Sequence, residues 1–289
     1  MKGTQMQTRT AKKVGDFTPK DQEWHDLRMK GITGTDAGAV LGVSPFSSPF
    51  RIWALKTGQV EDNIQQNDRM RLGQLLEAPL IQMFREKHPE LEVHENVGTY
   101  VHEDYPELIA NPDGLITIGD KLYILEVKTS RKYWDEVPPH YRAQVLHYAS
   151  VFSADGVFVV SLAGGDYQEW EIDFTEEELS MQTEIVRAFW NENIKPNIQP
   201  EWDGSQSTYE TVRALATEEE GDTDLGYLGI QLANAAQEFD EADKKLRQLK
   251  SATLAQMSDA KYGYAEGYLV AVKRRRGEGK PYLELKKGN

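Results

Sequence analysis

The sequence has no cysteine among its 289 residues. Disulfides, thiolate zinc sites and cysteine-held iron–sulfur clusters are thereby excluded. This absence suits a reducing cytoplasm. Long apolar runs are missing as well, and no stretch approaches the roughly 20 residues that a membrane-spanning helix needs. Met1–Lys13 is polar and basic with no apolar centre, so neither a signal peptide nor an anchor is expected there. Positive charge is scarce: 33 Lys and Arg face 47 Asp and Glu, for a formal net charge of −14. That balance argues against nucleic acid as a partner unless basic groups gather locally. The charges are unevenly placed. Acids concentrate in Glu176–Glu178 and Glu201–Asp224, bases at Arg274-Arg275-Arg276 and Lys286-Lys287.

What is present reads as helices, then strands, then an alternation of the two. Thr18 and Pro19 have the cap-plus-proline pattern of a helix start, with Trp24, Leu27 and Met29 on its apolar face. Thr35 or Asp36 caps a short helix through Leu41. Ser48-Pro49 opens another that stops at Gly58. A longer helix is expected over Arg69–Lys87, with Leu72, Leu75, Leu76, Leu80, Met83 and Phe84 inward. Strands fit Glu92–Val101, Leu108–Ile118 and Lys121–Lys128, the last two as a hairpin turning at Gly119-Asp120. A helix over His140–Phe152 follows Pro138-Pro139. Strands then fit Gly156–Leu162 and Gln168–Phe174, and Thr175 with Glu178 caps a helix to about Asn193. This order predicts an α/β fold with a mixed central sheet flanked by helices.

Beyond it, Leu225, Leu232, Phe239 and Leu246 fall on one seam, and Leu228, Ala235, Ala242 and Leu249 on the other. That spacing is a coiled-coil heptad or a long amphipathic helix packed on its own domain. The tail mixes Tyr262, Tyr264, Tyr268 and Tyr282 with basic residues, and Tyr268–Lys273 and Tyr282–Leu285 fit a hairpin. It has three possible roles: docking on the core, binding a partner, or lying on DNA.

The densest chemistry lies between Asn111 and Lys128. Asn111-Pro112-Asp113-Gly114 precedes a short apolar segment and Leu125-Glu126-Val127-Lys128. Three charged side chains in buried-looking sheet are costly unless paired or bound to a metal. If the strands pair, Asp113 and Glu126 converge on one ion. Glu126 and Lys128 share a face, turned toward a cleft or solvent, because side chains alternate along a strand. The Val127 carbonyl offers a further oxygen. Phosphodiester hydrolysis needs an activated water and a shield for charge on phosphorus, and carboxylate-held Mg²⁺ serves both. Lys128 then orients the water, or takes its proton if its pKa is depressed. Glu77, on the long helix, can reach the same ion. A lone Glu-x-Lys is common; Pro-Asp-Gly at hairpin distance makes it specific. His147 is set aside as a base, since Lys128 already fills that place.

These residues are the pattern of the PD-(D/E)xK nucleases. More specifically, the chain resembles the lambda-exonuclease-like, or YqaJ, phage recombinase nucleases. Besides the two segments above, the resemblance includes Trp24-His25-Asp26-Leu27-Arg28, Gly31-Ile32-Thr33-Gly34-Thr35-Asp36, Gly73 with Glu77, and Ala143-Gln144-Val145. It implies a restriction-endonuclease-like core and Mg²⁺-dependent digestion, with Mn²⁺ as a substitute, of one strand of duplex DNA from an end, 5′ to 3′. It implies Asp113 and Glu126 as metal ligands, Lys128 as the catalytic lysine, and Glu77 and Gln144 as supporting groups. Arg28 and Thr35 would hold the 5′-phosphate, as a guanidinium and a hydroxyl near a helix start can, with Arg131 a further candidate. Asn111 departs from the family, which has a small hydroxyl residue there. The resemblance also implies a ring-shaped trimer, a single-strand annealing partner, and a phage or prophage gene product in the bacterial cytoplasm. The expected organisation is a disordered 1–17, a nuclease domain over 18–197, an acidic linker at 198–224, and a C-terminal heptad helix with a basic, aromatic tail at 225–289. A sequence- or structure-specific endonuclease and a non-catalytic scaffold are the competing readings. The complete acid–acid–lysine set speaks against a scaffold.

Overall fold

The structure, a computed structural model, describes residues 9–17, 21–61, 67–95, 97–216 and 221–286. The chain divides into two units, residues 1–217 and 218–289. The first unit begins with β1 (Ala11–Gly15), α1 (Gln22–Arg28), β2 (Ile32–Thr33), α2 (Gly34–Val40), α3 (Pro49–Lys56) and α4 (Asp68–Lys87). It continues through β3 (Glu92–Glu95), β4 (Thr99–His102), β5 (Leu108–Ala110), β6 (Gly114–Ile118), β7 (Lys121–Ser130) and α5 (Pro139–Phe152). It closes with β8 (Gly156–Ala163), β9 (Asp166–Ile172), α6 (Glu176–Phe189), a π-helical turn (Trp190–Ile194) and α7 (Gln206–Leu215).

The central sheet has the order β3-β6-β7-β8-β9. The β6–β7 hairpin forms as expected, with Ile118 opposite Lys121 and Gly114 opposite Leu125. Gly119 supplies the positive φ that a tight hairpin turn requires. β7 and β8 run parallel, a pairing that needs a crossover, and α5 provides it. One face of the sheet is covered by α4, whose Leu80, Ile81 and Phe84 pack on Ile116, Leu125, Val127 and Val160. The other face is covered by α5, where Val145, Ala149 and Phe152 join Leu122, Ile124, Val157 and Val159. Burying each such large side chain stabilises the fold by roughly 1.5–3 kcal/mol. A smaller sheet, β1-β4-β5-β2, lies in the same unit. The mixed α/β architecture flanked by helices is as expected.

Helix starts follow their caps. Ser48 accepts from the Arg51 N–H with Pro49 in the first turn, and Asn67 caps α4. At α2 the cap is Thr33, rather than Thr35 or Asp36, and Asp36 closes a capping box on it. α1 starts after Asp21; Thr18 and Pro19 lie outside the described residues.

Several expectations are corrected. Residues 11–15 are not disordered: β1 pairs antiparallel with β4 and buries Ala11. Glu92–Val101 is two strands in different sheets, broken where Gly98 takes φ +91°. Leu108–Ile118 divides likewise, because Pro112 and Asp113 interrupt the ladder. The expected linker contains α7, which buries Thr208 and Thr211 and bonds Thr208 Oγ1 to Ser48 Oγ at 2.8 Å. Along α4, Leu72, Leu75 and Met83 are exposed, since a single sheet face takes only the stripe through Leu80, Ile81 and Phe84.

The second unit contains α8 (Gly226–Gln256) and a sheet of β10 (Tyr262–Ala265), β11 (Tyr268–Arg274) and β12 (Tyr282–Leu285). The expected β11–β12 hairpin forms, with β10 added on the far side of β11. Met257, Ala271 and Val272 are buried, whereas no residue of α8 is.

Candidate active site

β7 carries the two chemically central side chains where its neighbour β6 ends. Glu126 and Lys128, two residues apart on one face, lie on the α5 side of the sheet. Leu125 and Val127 face α4. Glu126 is only 2% exposed. It is therefore not turned to a cleft or solvent, as expected from sequence, but packed beneath α5. Its Oε1 accepts from Lys128 Nζ at 2.5 Å and from Gln144 Nε2 at 2.8 Å. Gln144 in turn donates to the Tyr148 hydroxyl at 3.0 Å. The other oxygen, Oε2, is buried and makes no hydrogen bond within 3.5 Å among the described residues, although the Asp113 backbone and carboxyl are near enough to act on Glu126.

Asp113 lies in the loop just before β6. Its Oδ2 accepts from the Val127 N–H at 2.7 Å, continuing the ladder by side chain where strand pairing stops at Gly114. N–H and C=O of one strand residue project toward the same edge. The Val127 carbonyl therefore faces the edge that Asp113 occupies. Glu77 reaches the same neighbourhood from α4, close enough to feel the charges of Asp113 and Lys128. Gly73, one turn earlier, faces β7 as well: a Cβ there would stand in ordinary contact, 3.4 Å, with Thr129 Oγ1.

Negative charge exceeds positive charge here. Burial and then the neighbouring Asp113 push Glu126 up to about 8. Burial and Asp113 push Glu77 up to about 7, and burial raises Asp113. Burial would lower Lys128, but Glu126 and Asp113 outweigh it and hold the ammonium above its ordinary value. In the metal-free site the ammonium form of Lys128 is therefore the favoured one. His147 is a core residue. Its Nε2 lies 3.1 Å from the Ile109 carbonyl, and burial lowers it to about 4.

The donor set fits a hard divalent cation. An unpartnered buried carboxylate oxygen and mutually repelling acids are what such an ion relieves. Among the described residues, no three imidazole, thiolate or carboxylate groups form a ligating cluster. Asp113, Glu126 and the Val127 carbonyl would hold the ion with water completing its shell, the habit of Mg²⁺.

The second group of expected residues surrounds the start of α2. Gly34 presses on the catalytic face: a Cβ there would meet Tyr148 Cε1 at 2.5 Å and Gln144 Cγ at 2.9 Å. Thr35 follows, exposed. Arg28 stacks 4.5 Å from the Trp24 ring and lies 3.7 Å from Asp36. Asp36 is itself buried and held at 2.7 Å by Lys56. Burial would raise Asp36, but Lys56 and Arg28 pull it down to about 2. Sequence reasoning missed Lys56, which lies 20 positions from its partner. Nor does the sequence single out Tyr148, a core residue whose hydroxyl accepts from Gln144. Arg131 is exposed just beyond β7, and the Asn111 amide is engaged by Thr99 rather than by this group. A separate cavity of about 700 Å³, lined in part by Arg9, His102, Tyr105 and Arg187, contains none of the catalytic candidates.

Residues 23–155 match the model of the YqaJ-like viral recombinase domain. The uncharacterized protein YqaJ of Bacillus subtilis (strain 168) is 29% identical over 266 residues, covering 87% of this chain and 82% of that one. The crystal structure of LHK-Exo in complex with dAMP superposes with a TM-score of 0.50 at 18% identity, covering 67% of this chain and 98% of that one. A crystal structure of an alkaline exonuclease (LHK-Exo) from Laribacter hongkongensis gives 0.49 at 18% identity, covering 68% and 100%. The dAMP-bound structure shows a shared fold. The family resemblance read from the residues is borne out, and the matched segment spans Arg28, Thr35, Glu77, Asp113, Glu126, Lys128 and Gln144.

Proposed function

We infer from the YqaJ-like viral recombinase domain, and from the charge imbalance at its centre, that this protein is a Mg²⁺-dependent deoxyribonuclease. It digests one strand of duplex DNA from an end, 5′ to 3′, and leaves 3′ single-stranded overhangs for phage-type recombination. The observation that carries this reading is the orphaned Glu126 Oε2, buried beside Asp113 with Lys128 the one ammonium bonded to Glu126. Such an arrangement serves no purpose in a scaffold and suits a cation-assisted hydrolase.

A bound divalent ion would supply Lewis acidity toward the phosphate and a more acidic water. The chain's own groups do the rest. Lys128, held charged by its carboxylates, orients the attacking water and offsets charge growing on the phosphoryl oxygens. Gln144, fixed by Tyr148, holds Glu126 in one rotamer and leaves Oε2 free. Glu77, raised toward neutrality, can hold a proton near the leaving oxygen. Arg28 and Thr35 bind the 5′-phosphate, and Gly34 keeps that pocket against Gln144 and Tyr148. A single-strand annealing protein would receive the exposed strand, and a ring of three copies would let an acidic chain keep hold of DNA.

The test uses linear duplex carrying a 5′-phosphate on one strand and a 5′-hydroxyl on the other, with and without Mg²⁺. Rapid loss of the 5′-phosphorylated strand alone is expected. Equal loss of both strands, or cutting of closed circles, would overturn the reading. Arg28→Ala is expected to bring the rates on the two kinds of end together.

A further inference from the structure

We propose that α8 pairs with α8 of a second copy of this chain as an antiparallel coiled coil, a two-fold contact that would join a copy in one three-membered ring to a copy in another. The seam is intact and bare. Leu232 is 63% exposed and Phe239 72%, and Leu228, Leu246 and Leu249 are exposed with them. None of the 31 residues of this helix is buried, whereas most helical stability in proteins comes from packing an apolar face.

Heptad bookkeeping decides the direction. With Leu225, Leu232, Phe239 and Leu246 at position a, the g positions include Glu238 and Lys245, and the e positions include Asp243 and Lys250. In a parallel, in-register pair each g residue meets the e residue five further along the other helix. Glu238 would then face Asp243 of the second copy, and Lys245 would face Lys250. Both contacts are repulsive, and each occurs twice. In an antiparallel pair g meets g and e meets e. Centring the helices between Phe239 and Ala242 sets Glu238 against Lys245, twice, with no like-charge contact. Ala236 then meets Asp243, and Gly229 meets Lys250.

The core layers agree. Antiparallel pairing places Phe239 on Ala242, Leu246 on Ala235 and Leu232 on Leu249, so large residues fill the space beside small ones. Parallel pairing would stack Phe239 on Phe239 and leave two layers of alanine on alanine. Size and charge therefore agree on one direction, and this helix is complementary to its own reversed copy.

Because the chain is free of cysteine, introduced thiols report alone. Full-length Leu232→Cys and Leu249→Cys chains, distinguished by a tag, are mixed and oxidised mildly. A disulfide between the two variants is expected, with neither variant linking to itself. In the antiparallel pair like positions lie roughly 26 Å apart at 1.5 Å per residue, far outside disulfide reach. Self-linking of either variant, or no linking in the mixture, overturns the proposal. The surface variants Glu238→Lys and Lys245→Glu leave the seam untouched. Each is expected to weaken association of the full chain by about tenfold in sedimentation, and the double variant to restore it. Strengthening by either single variant indicates parallel helices. Indifference to both indicates that α8 is covered by its own chain or by a different partner. Either result overturns the proposal.

Discussion

Two acids are buried within one domain, and their surroundings treat them oppositely. Asp36 sits beneath two cations and a capping box, and Lys56 and Arg28 draw its pKa down to about 2 against its burial. Glu126 shares one ammonium with Asp113 and Glu77, is pushed up to about 8, and keeps one oxygen unbonded. Within the first cluster the Asp36–Lys56 pair is electrostatically complete and fixes α2 against α3, while the half-exposed Arg28 beside it has a face turned outward. The second is short of positive charge by an amount that a divalent ion supplies. A buried charge is thus a poor indicator of function, whereas a buried charge left uncompensated is a good one.

The comparison is tested most severely by activity. Lys128→Ala should lower turnover by about 10²–10³-fold, while duplex binding in a gel-shift assay persists. Near wild-type digestion by Lys128→Ala would remove this cluster from the chemistry.

Stability should separate the clusters next. Asp36→Asn strands the buried Lys56 ammonium and should cost about 3–5 kcal/mol, read by denaturant unfolding. Glu126→Gln removes a charge that the metal-free fold opposes and should be neutral or stabilising. Saturating Mg²⁺ should raise wild-type stability by about 2.7 kcal/mol at a hundredfold excess over Kd, and Glu126→Gln should lose that gain. Persistence of the gain in both Glu126→Gln and Asp113→Asn would place the ion elsewhere.

The pH dependence has opposite signs at the two places. Asp36 is depressed from 3.8, so its contribution is present above about pH 4 and lost as pH falls toward 2. His147 is lowered from 6.5 to about 4, so its contribution is lost as pH falls through that interval. Glu126 is raised from 4.5, so its contribution is full below that pH and lost as pH rises through 8. Metal-free melting curves should therefore fall on both sides of a maximum. His147→Gln should flatten the slope between pH 6.5 and 4, and Mg²⁺ should flatten the alkaline one. A melting temperature that ignores Mg²⁺ at pH 8 would contradict the account of Glu126.

The incomplete cluster was legible in the sequence and the complete one was only half so. Strand alternation alone puts Glu126 and Lys128 on one face, and a two-residue turn at Gly119-Asp120 brings Asp113 beside them. Those are local rules. Lys56 meets Asp36 only because α2 and α3 pack together, which no spacing announces. The same limit explains the misplaced strands: Val97, Tyr100 and Val101 continue a β pattern through Gly98, and the turn that parts the sheets depends on tertiary context. α7 was hidden because threonines, Thr208 and Thr211, do the burying in an otherwise acidic stretch.

The smallest predicted effect isolates charge from hydrogen bonding at Asp36. The Thr33 hydroxyl accepts from the Asp36 N–H at 3.4 Å, while Asp36 Oδ2 accepts from the Thr33 N–H at 3.0 Å. Thr33→Ala removes the hydroxyl and leaves the carboxylate, Lys56 and Arg28 in place. It should cost about 1 kcal/mol, and Thr33→Ser should recover most of that in the same unfolding assay. A cost equal to that of Asp36→Asn would mean that the cap, and not the paired charge, holds α2. The contrast between a compensated and an uncompensated acid would then fail at its compensated end.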